Sequence, residues 1–421
     1  MKNAACLLIH ILLLAMLKAL PAYAQQDTIN VDNTDAPNVF LDCNRCDRDF
    51  IRREVTFVNY VRDRKDAQVH VLVTIQRTGS GGREYTMNFI GLKNFAGMVD
   101  TLKAITNQTD TRDDVRKAVA KALKLGFVRF VAKTPLAEQV SISYEQKASP
   151  AEVKDKWNYW VFDIDFEIFA RGEESRNRIN LESDFSANRV TDDWKLRLSI
   201  GGEYNEQNLT FTDDSTGEKS RDKIILRNAR FRSLLVKSLN EHWSIGGIGR
   251  ISSSTFNNID LELRISPAIE YNVFKYSEST RKQLRFLYSI GYNGFRYQKE
   301  TLFGKTSEDL FAEELSIELE TDQPWGSISV NLEGSHFFHD FSKNRVELFT
   351  SFRLRLFKGF SLRIFGGASR IRDQLALPKE EASEDDIRSQ IRELETSYEF
   401  FGEIGFSYTF GSIYSNVVNP R

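Results

Sequence analysis

The chain has 421 residues, with 57 Lys or Arg against 59 Asp or Glu and a formal net charge of −2. That balance argues against nucleic acid as the main partner, and the length allows two or three domains. Beyond the first two dozen residues no stretch is apolar over the roughly 20 residues that a spanning helix needs, so a bilayer could be crossed only by a β-barrel.

Residues 1–24 read as a secretory signal. Lys2 supplies the positive end, Ala4 to Leu17 form an apolar run broken only by His10, and Ala22-Tyr23-Ala24 closes the segment before Gln25. The run is short for a membrane anchor, and Cys6 stands at its start, where lipid attachment is not expected. Cleavage removes Lys2 and Lys18 and no acid, leaving a slightly more acidic chain. Residues 25–38 are polar and without periodicity, a flexible leader.

A small α/β domain is expected over 39–145. Val39 to Leu41 start it as a strand; Ile51, Val55, Phe57, Val58 and Val61 supply a helical apolar face, with Asp47 and Asp49 at its start. Val69, Val71 and Val73 alternate with His70, Leu72 and Thr74 as a strand, and a second strand covers Glu84 to Leu92. Between them Thr78-Gly79-Ser80-Gly81-Gly82 reads as a hairpin turn, because a phosphate-binding loop needs a following helix and a Lys-Ser/Thr pair. A helix from about Thr111 to Leu125 and a final strand, Phe127 to Val131, complete a β-α-β-β-α-β order. Cys43 and Cys46, spaced Cys-Asn-Arg-Cys, admit two readings: a structural disulfide at the start of a helix, or a thioredoxin-type redox pair. The βαβ series of a thioredoxin domain is missing, which favours the disulfide.

After a linker at 146–156 the pattern changes. Over 157–411 apolar and charged residues alternate almost continuously: Trp160, Phe162, Ile164, Phe166 and Ile168 are separated by Asp163, Asp165 and Glu167. Trp194-Leu196-Leu198-Ile200, Ile259-Leu261-Leu263-Ile265 and Val346-Leu348-Thr350-Phe352-Leu354 repeat this. Segments of ten residues or more suit tilted transmembrane strands, whereas soluble strands average about half that. Trp157, Trp194, Trp243 and Trp325 mark strand ends. Connections near 171–178, 191–193, 207–222, 240–241, 255–258, 276–282, 299–308, 321–323, 340–344, 358–359 and 372–396 divide the region into about twelve strands. Every second connection is on the whole shorter, and an even count returns both ends to one side. The expected fold is therefore mainly β: a C-terminal antiparallel transmembrane β-barrel preceded by a small α/β domain, with a tail at 412–421.

The last strand carries Glu403-x-Gly405-x-x-Tyr408-x-Phe410. This run resembles the C-terminal assembly signal of outer-membrane β-barrel proteins of Gram-negative bacteria, although Gly411 to Arg421 continue beyond it. The resemblance implies location in the cell outer membrane with the α/β domain in the periplasm. It also implies outer-membrane lipid, the barrel-assembly machinery and periplasmic chaperones as partners, besides a candidate periplasmic protein for the α/β domain.

Alternation points Asp163, Asp165, Glu167, Glu182, Lys195, Arg197, Arg230, Arg232, Glu262, Arg264, Arg353, Arg355 and Arg363 into the lumen. Such groups can guide ions or polar solutes through a narrow channel. They can equally pair and fill a closed barrel that anchors the α/β domain. A remote third class, a lipid esterase, is suggested by Ser335-His336 and His339-Asp340, but neighbouring strand residues point to opposite faces. No catalytic residue, metal ligand or cofactor site is assigned.

Overall fold

A computed structural model describes residues 35–79, 81–143, 155–212, 219–380, 392–412 and 416. The signal segment 1–24, residues 25–34 of the leader, and most of the 146–156 linker and 412–421 tail lie outside the described residues.

The N-terminal domain is a five-stranded sheet with two helices. Strand β1 (Asn38–Asp42) pairs in parallel with both β2 (Asn59–Tyr60) and β3 (Val69–Arg77). Strands β4 (Arg83–Gly91) and β5 (Val99–Thr106) extend the sheet antiparallel, giving the order β2-β1-β3-β4-β5. Helix α1 (Arg48–Glu54) follows β1, and α2 (Arg112–Val131) follows β5. Asp47 caps α1 by accepting from Phe50 N at 2.9 Å. Thr111 and Asp114 cap α2 reciprocally. One sheet face, with Val39, Val71, Met87 and Phe89, packs against Val119, Leu123, Phe127 and Phe130 of α2. Cys43 and Cys46 are joined as a disulfide between β1 and α1.

Four expectations in this domain are corrected. The helix predicted through Val61 ends at Glu54; Val55 and Val58 are buried as the chain extends into β2, where pairing with β1 overrides a helical spacing of β-branched residues. The strand predicted at Phe127 to Val131 is the last part of α2, since Val119, Leu123, Phe127 and Phe130 share one helical face. Strand β5 lies outside the expected order: its apolar Val99 and Ile105 are 59% and 64% exposed and only Leu102 and Ala104 turn to the core, so apolar residues fall on both parities and no alternation marks it. The leader ends earlier than expected, with Ala36 in the core and Asn38 already in β1.

The second unit is a twelve-stranded antiparallel meander of barrel type, each strand paired with the next. Its strands are β6 (Trp160–Gly172), β7 (Arg176–Val190), β8 (Trp194–Thr212), β9 (Lys219–Ser238), β10 (Trp243–Ser254) and β11 (Ile259–Asn272). They continue as β12 (Lys282–Tyr297), β13 (Ser307–Gln323), β14 (Gly326–Phe337), β15 (Asp340–Phe357), β16 (Phe360–Ile371) and β17 (Tyr398–Tyr408). The sheet is curled. The long connection after β16 reaches the β10–β11 and β12–β13 turns, where Asn258 Nδ2 donates to Ala376 O at 2.8 Å and Leu302 N to Leu377 O at 2.8 Å. Leu375 and Leu377 are buried there. Among the described residues β6 and β17 share no ladder.

The expected strand count and most connections agree with this meander. Three connections are tighter than expected, at 173–175, Pro324-Trp325 and Phe338-His339, and β8 and β9 run further into their connection. Turns at the end of the α/β domain are short except for 273–281, which holds a 3-10 turn at Tyr276–Glu278.

Gly126 of α2 lies against the ring of Phe89; a Cβ there would sit 2.0 Å from its Cζ. Phe89 is fully buried and packed edge-on to Phe127 at 5.4 Å, so it cannot yield. Gly126→Ala is expected to destabilise the domain by about 1–3 kcal/mol from overpacking, despite alanine's gain of roughly 1 kcal/mol in helix propensity. Urea unfolding of the full chain, followed at the α/β domain by amide hydrogen exchange, measures it; unchanged or higher stability would contradict the packing described.

Candidate functional site

Burial in the twelve-stranded unit is inverted relative to a soluble sheet. On the outward parity Ile164 is 80% exposed, Ile404 76% and Phe406 75%. On the inward parity Ser266, Ser289 and Asn272 are all but fully buried. The inward face also carries the charges, and many pair between strands. Arg230 lies 3.1 Å from Asp184 and 3.8 Å from Glu182; Arg264 lies 2.8 Å from Glu314. Arg285 joins Glu270 at 3.4 Å and also Glu318; Glu262 meets Arg250 at 4.0 Å; Arg363 meets Glu403 at 3.9 Å.

Sequence-assigned lumen residues thus fall into three groups. Glu182, Arg230, Glu262, Arg264 and Arg363 are ion-paired within the wall. Glu167, Lys195, Arg232 and Arg353 have no carboxylate or cation within 4 Å among the described residues. Asp163, Asp165, Arg197 and Arg355 meet the α/β domain or the space beneath it, a role that alternation alone does not show.

The α/β domain sits across the end of the curled sheet from which β6 starts. Its second face, with Phe40, Asp42 and His70, is turned toward β15. Arg355 Nη2 donates to Asp42 Oδ1 at 2.5 Å, Arg355 Nη1 to Pro324 O at 3.1 Å, and the guanidinium lies 5.5 Å from the Phe40 ring centroid. His70 Nε2 lies 3.3 Å from the other Asp42 oxygen. Nearby, Lys358 pairs with Asp66 at 2.7 Å, and Gly359 N donates to Asp63 at 2.6 Å. On the opposite side Gln108 donates to Asp163. Gly79 approaches β7 so closely that a Cβ would lie 2.4 Å from Val190 Cβ. Asn416, beyond β17, accepts from Tyr60 N at 2.6 Å and donates to Asn59 at 3.2 Å.

Between these two lines of contact lies a cavity of about 1170 Å³. Arg77, Arg83, Arg112 and Arg116 line it from the domain, and Asp163, Asp165 and Arg197 from the barrel. It is a vestibule of mixed charge at the mouth of the lumen.

Burial alone would raise the Asp42 carboxyl, but the hydrogen bond from His70 and the charge of Arg355 outweigh it and hold the group below the ordinary carboxylate range. Burial pushes His70 down, against the hydrogen bond and charge of Asp42. The imidazole is accordingly neutral at pH 7.

Reasoning from sequence missed Phe40, Asp42, Asp63, Asp66, His70 and Gln108. Asp42 and Arg355 are separated by 313 positions, and no local pattern links them. Ser335 and His336 do separate to opposite faces: Ser335 stands in register with Glu314 and Arg345, while His336 Nε2 lies 2.8 Å from Glu313. In the last strand Gly405 stands opposite Arg363, where a Cβ would come within 3.4 Å of the guanidinium; Tyr408 and Phe410 are exposed, their rings 5.6 Å apart.

A family profile described as "Protein of unknown function, DUF481" matches residues 168–386, just over half of the chain. The chain belongs to the DUF481 family. The match opens inside β6 and closes in the connection after β16, so the DUF481 segment lies within the barrel-type unit. The α/β domain of this DUF481 member, with Asp42 and His70, stands outside the matched segment. Comparison with curated proteins gives no match.

Removing Arg355 leaves Asp42, 6% exposed, as a buried carboxylate without its cation. Arg355→Ala is expected to weaken seating of the domain by about 3 kcal/mol, read as faster protease cleavage between the two units. Acid acts in the same direction. The folded state takes up protons less readily than the unfolded one at both groups, so stability is lost as pH falls below the ordinary histidine value of about 6.5, and further as Asp42 protonates. Melting curves from pH 7.5 to about 3 should record this in the native chain, with the first step absent in His70→Asn; a pH-independent curve would contradict it.

Proposed function

We propose that this chain is an outer-membrane β-barrel that anchors its α/β domain in the periplasmic mouth, and that the barrel does not conduct while the domain is seated. The observation that carries the anchoring role is the seating itself, through Asp42–Arg355, Asp66–Lys358 and Gln108–Asp163. The membrane location is supported by the inverted burial, since soluble monomers rarely expose apolar patches beyond a few hundred Å². It is supported further by Trp157, Trp194, Trp243 and Trp325, all at the domain end of upward strands and all partly exposed; aromatic girdles mark the two interfaces of such barrels. No described helix is long and apolar enough to cross a membrane. Residues 1–24 fit export, and β17 fits recognition by the barrel-assembly machinery.

A second reading, a narrow channel for small polar solutes, is favoured by the vestibule. There Asp163, Asp165 and Arg197 offer both signs of charge at the lumen mouth. Planar-bilayer recordings separate the two. The anchor reading expects a silent wild-type protein and stepwise currents once Arg355→Ala and Lys358→Ala release the domain. Steady current from the wild type, reshaped by Arg197→Glu, would replace it with the channel.

The membrane assignment has its own test in strand register. Arg substituted at Ile164, Leu198, Leu263 or Leu354 should cost about 2–4 kcal/mol near the bilayer centre, and Asn at Asp165, Arg197, Glu262 or Arg353 much less. Single cysteines at the first set should react with lipid-soluble reagents and at the second with water-soluble ones. Equal access from water at both would sink the transmembrane reading, as would recovery of the protein as a soluble monomer.

A further inference from the structure

The loop 61–68, between β2 and β3, runs beside the β15–β16 turn, and the two enclose a second cleft of about 350 Å³. Arg48, Arg62, Arg64 and Lys65 line it, while Asp63 supplies a carboxylate already engaged by Gly359 N and Lys65 N. Arg355, also in the wall, is committed to Asp42, and Arg48 donates to Cys43 O at 3.1 Å. Arg62, Arg64 and Lys65 meet no carboxylate within 4 Å among the described residues. Three cations are therefore gathered around the single carboxylate of Asp63, which backbone N–H groups hold, leaving this loop an excess of positive charge.

The barrel lip of this cleft is aromatic. Phe357 stacks on Phe360 at 4.6 Å, and Phe360 on Phe406 at 6.0 Å. Leu356, Phe406, Tyr408 and Phe410 are each more than half exposed on the outward face. A cluster with an excess of positive charge directly beside an outward apolar rim matches the two ends of one ligand, an anion joined to hydrocarbon. A free anion would make no use of the rim, and an apolar ligand none of the cations. Basic residues at a membrane surface attract anionic headgroups, and a guanidinium pairs with phosphate through two parallel hydrogen bonds.

We propose that this cleft holds the headgroup of an anionic phospholipid. The phosphate lies among Arg62, Arg64 and Lys65, and the acyl chains run along the Phe360, Phe406 and Tyr408 face, in the leaflet next to the α/β domain. The inference rests on the membrane reading above. It deepens that reading, because a lipid bound here contacts both units and secures the domain against the barrel.

The test uses the full chain in lipid. Insertion into vesicles of phosphatidylcholine alone, read by flotation, reports the barrel reading separately; failure to insert overturns that reading and this one with it. Protein released from nanodiscs holding equal phosphatidylcholine and phosphatidylglycerol is then examined by native mass spectrometry. The wild type is expected to retain phosphatidylglycerol roughly tenfold over phosphatidylcholine. Arg62→Gln/Arg64→Gln/Lys65→Gln should bring the two lipids near parity, while Arg77→Gln/Arg83→Gln, in the other cavity, should leave the enrichment intact. Insertion without enrichment, or enrichment unchanged in the triple variant, overturns the proposal. Tight binding of inorganic phosphate by the lipid-free protein in detergent, with no lipid enrichment, assigns the cleft to a soluble anion and overturns it as well.

Discussion

The larger unit depends on one constraint: its apolar side chains face outward with no described part of the chain to cover them, while its backbone must still satisfy every hydrogen bond. Consecutive antiparallel pairing from β6 to β17 meets the second demand everywhere but the outer edges of β6 and β17, because each strand donates to and accepts from its chain neighbours. It also fixes what is inside. Once Ile164, Ile265 and Ile404 are outward, period-two alternation sends Asp165, Arg264 and Glu403 inward, where charges must pair or reach water. The pairs Arg230–Asp184 and Arg264–Glu314 connect strands two apart, across the intervening strand. They brace the curl of the wall rather than one hairpin.

The α/β domain answers a different problem. Its β1 and β3 are buried on both faces: valines meet α2 on one side, and Phe40, Asp42 and His70 lie on the other. A carboxylate as buried as Asp42 is stable only with a cation and further hydrogen bonds. Neither comes wholly from its own domain, for Arg355 belongs to the barrel. The domain's second face is thus chemically complete only when seated, which makes seating part of its fold rather than a loose tether.

What could be read from the sequence follows from the range of the interactions involved. The meander was legible because alternation is local: each of the twelve strands announces itself within its own residues, and turns such as Lys358-Gly359 punctuate them. The lumen assignment of Glu182, Arg230 and Arg264 followed from parity alone. The domain's helices were less legible, since Val55 and Val58 carry a helical spacing that pairing of β1 with β2 overrides, and Phe127 to Val131 reads as a strand until Phe89 is known to lie beneath it. The junction was not legible at all. Asp42, His70 and Asp66 look like ordinary residues at strand ends and in loops, and the partners of Asp42 and Asp66 in the barrel lie 313 and 292 positions away.

The geometry of the seam between first and last strands ties these points together. In lipid an unpaired edge is costly, several kcal/mol for each unsatisfied backbone group, and an even strand number leaves β6 and β17 antiparallel, able to pair. The α/β domain touches both sides of that seam. Gln108 and Gly79 meet Asp163 and Val190 on β6 and β7; Asp42, Asp63 and Asp66 meet Arg355, Gly359 and Lys358 around the β15–β16 turn; Asn59 and Tyr60 meet Asn416 just past β17. A rigid sheet holding both flanks at one end limits how far the edges can separate there, so seating and closure favour one another. The seated domain is, by the same contacts, a clamp on the barrel's own joint.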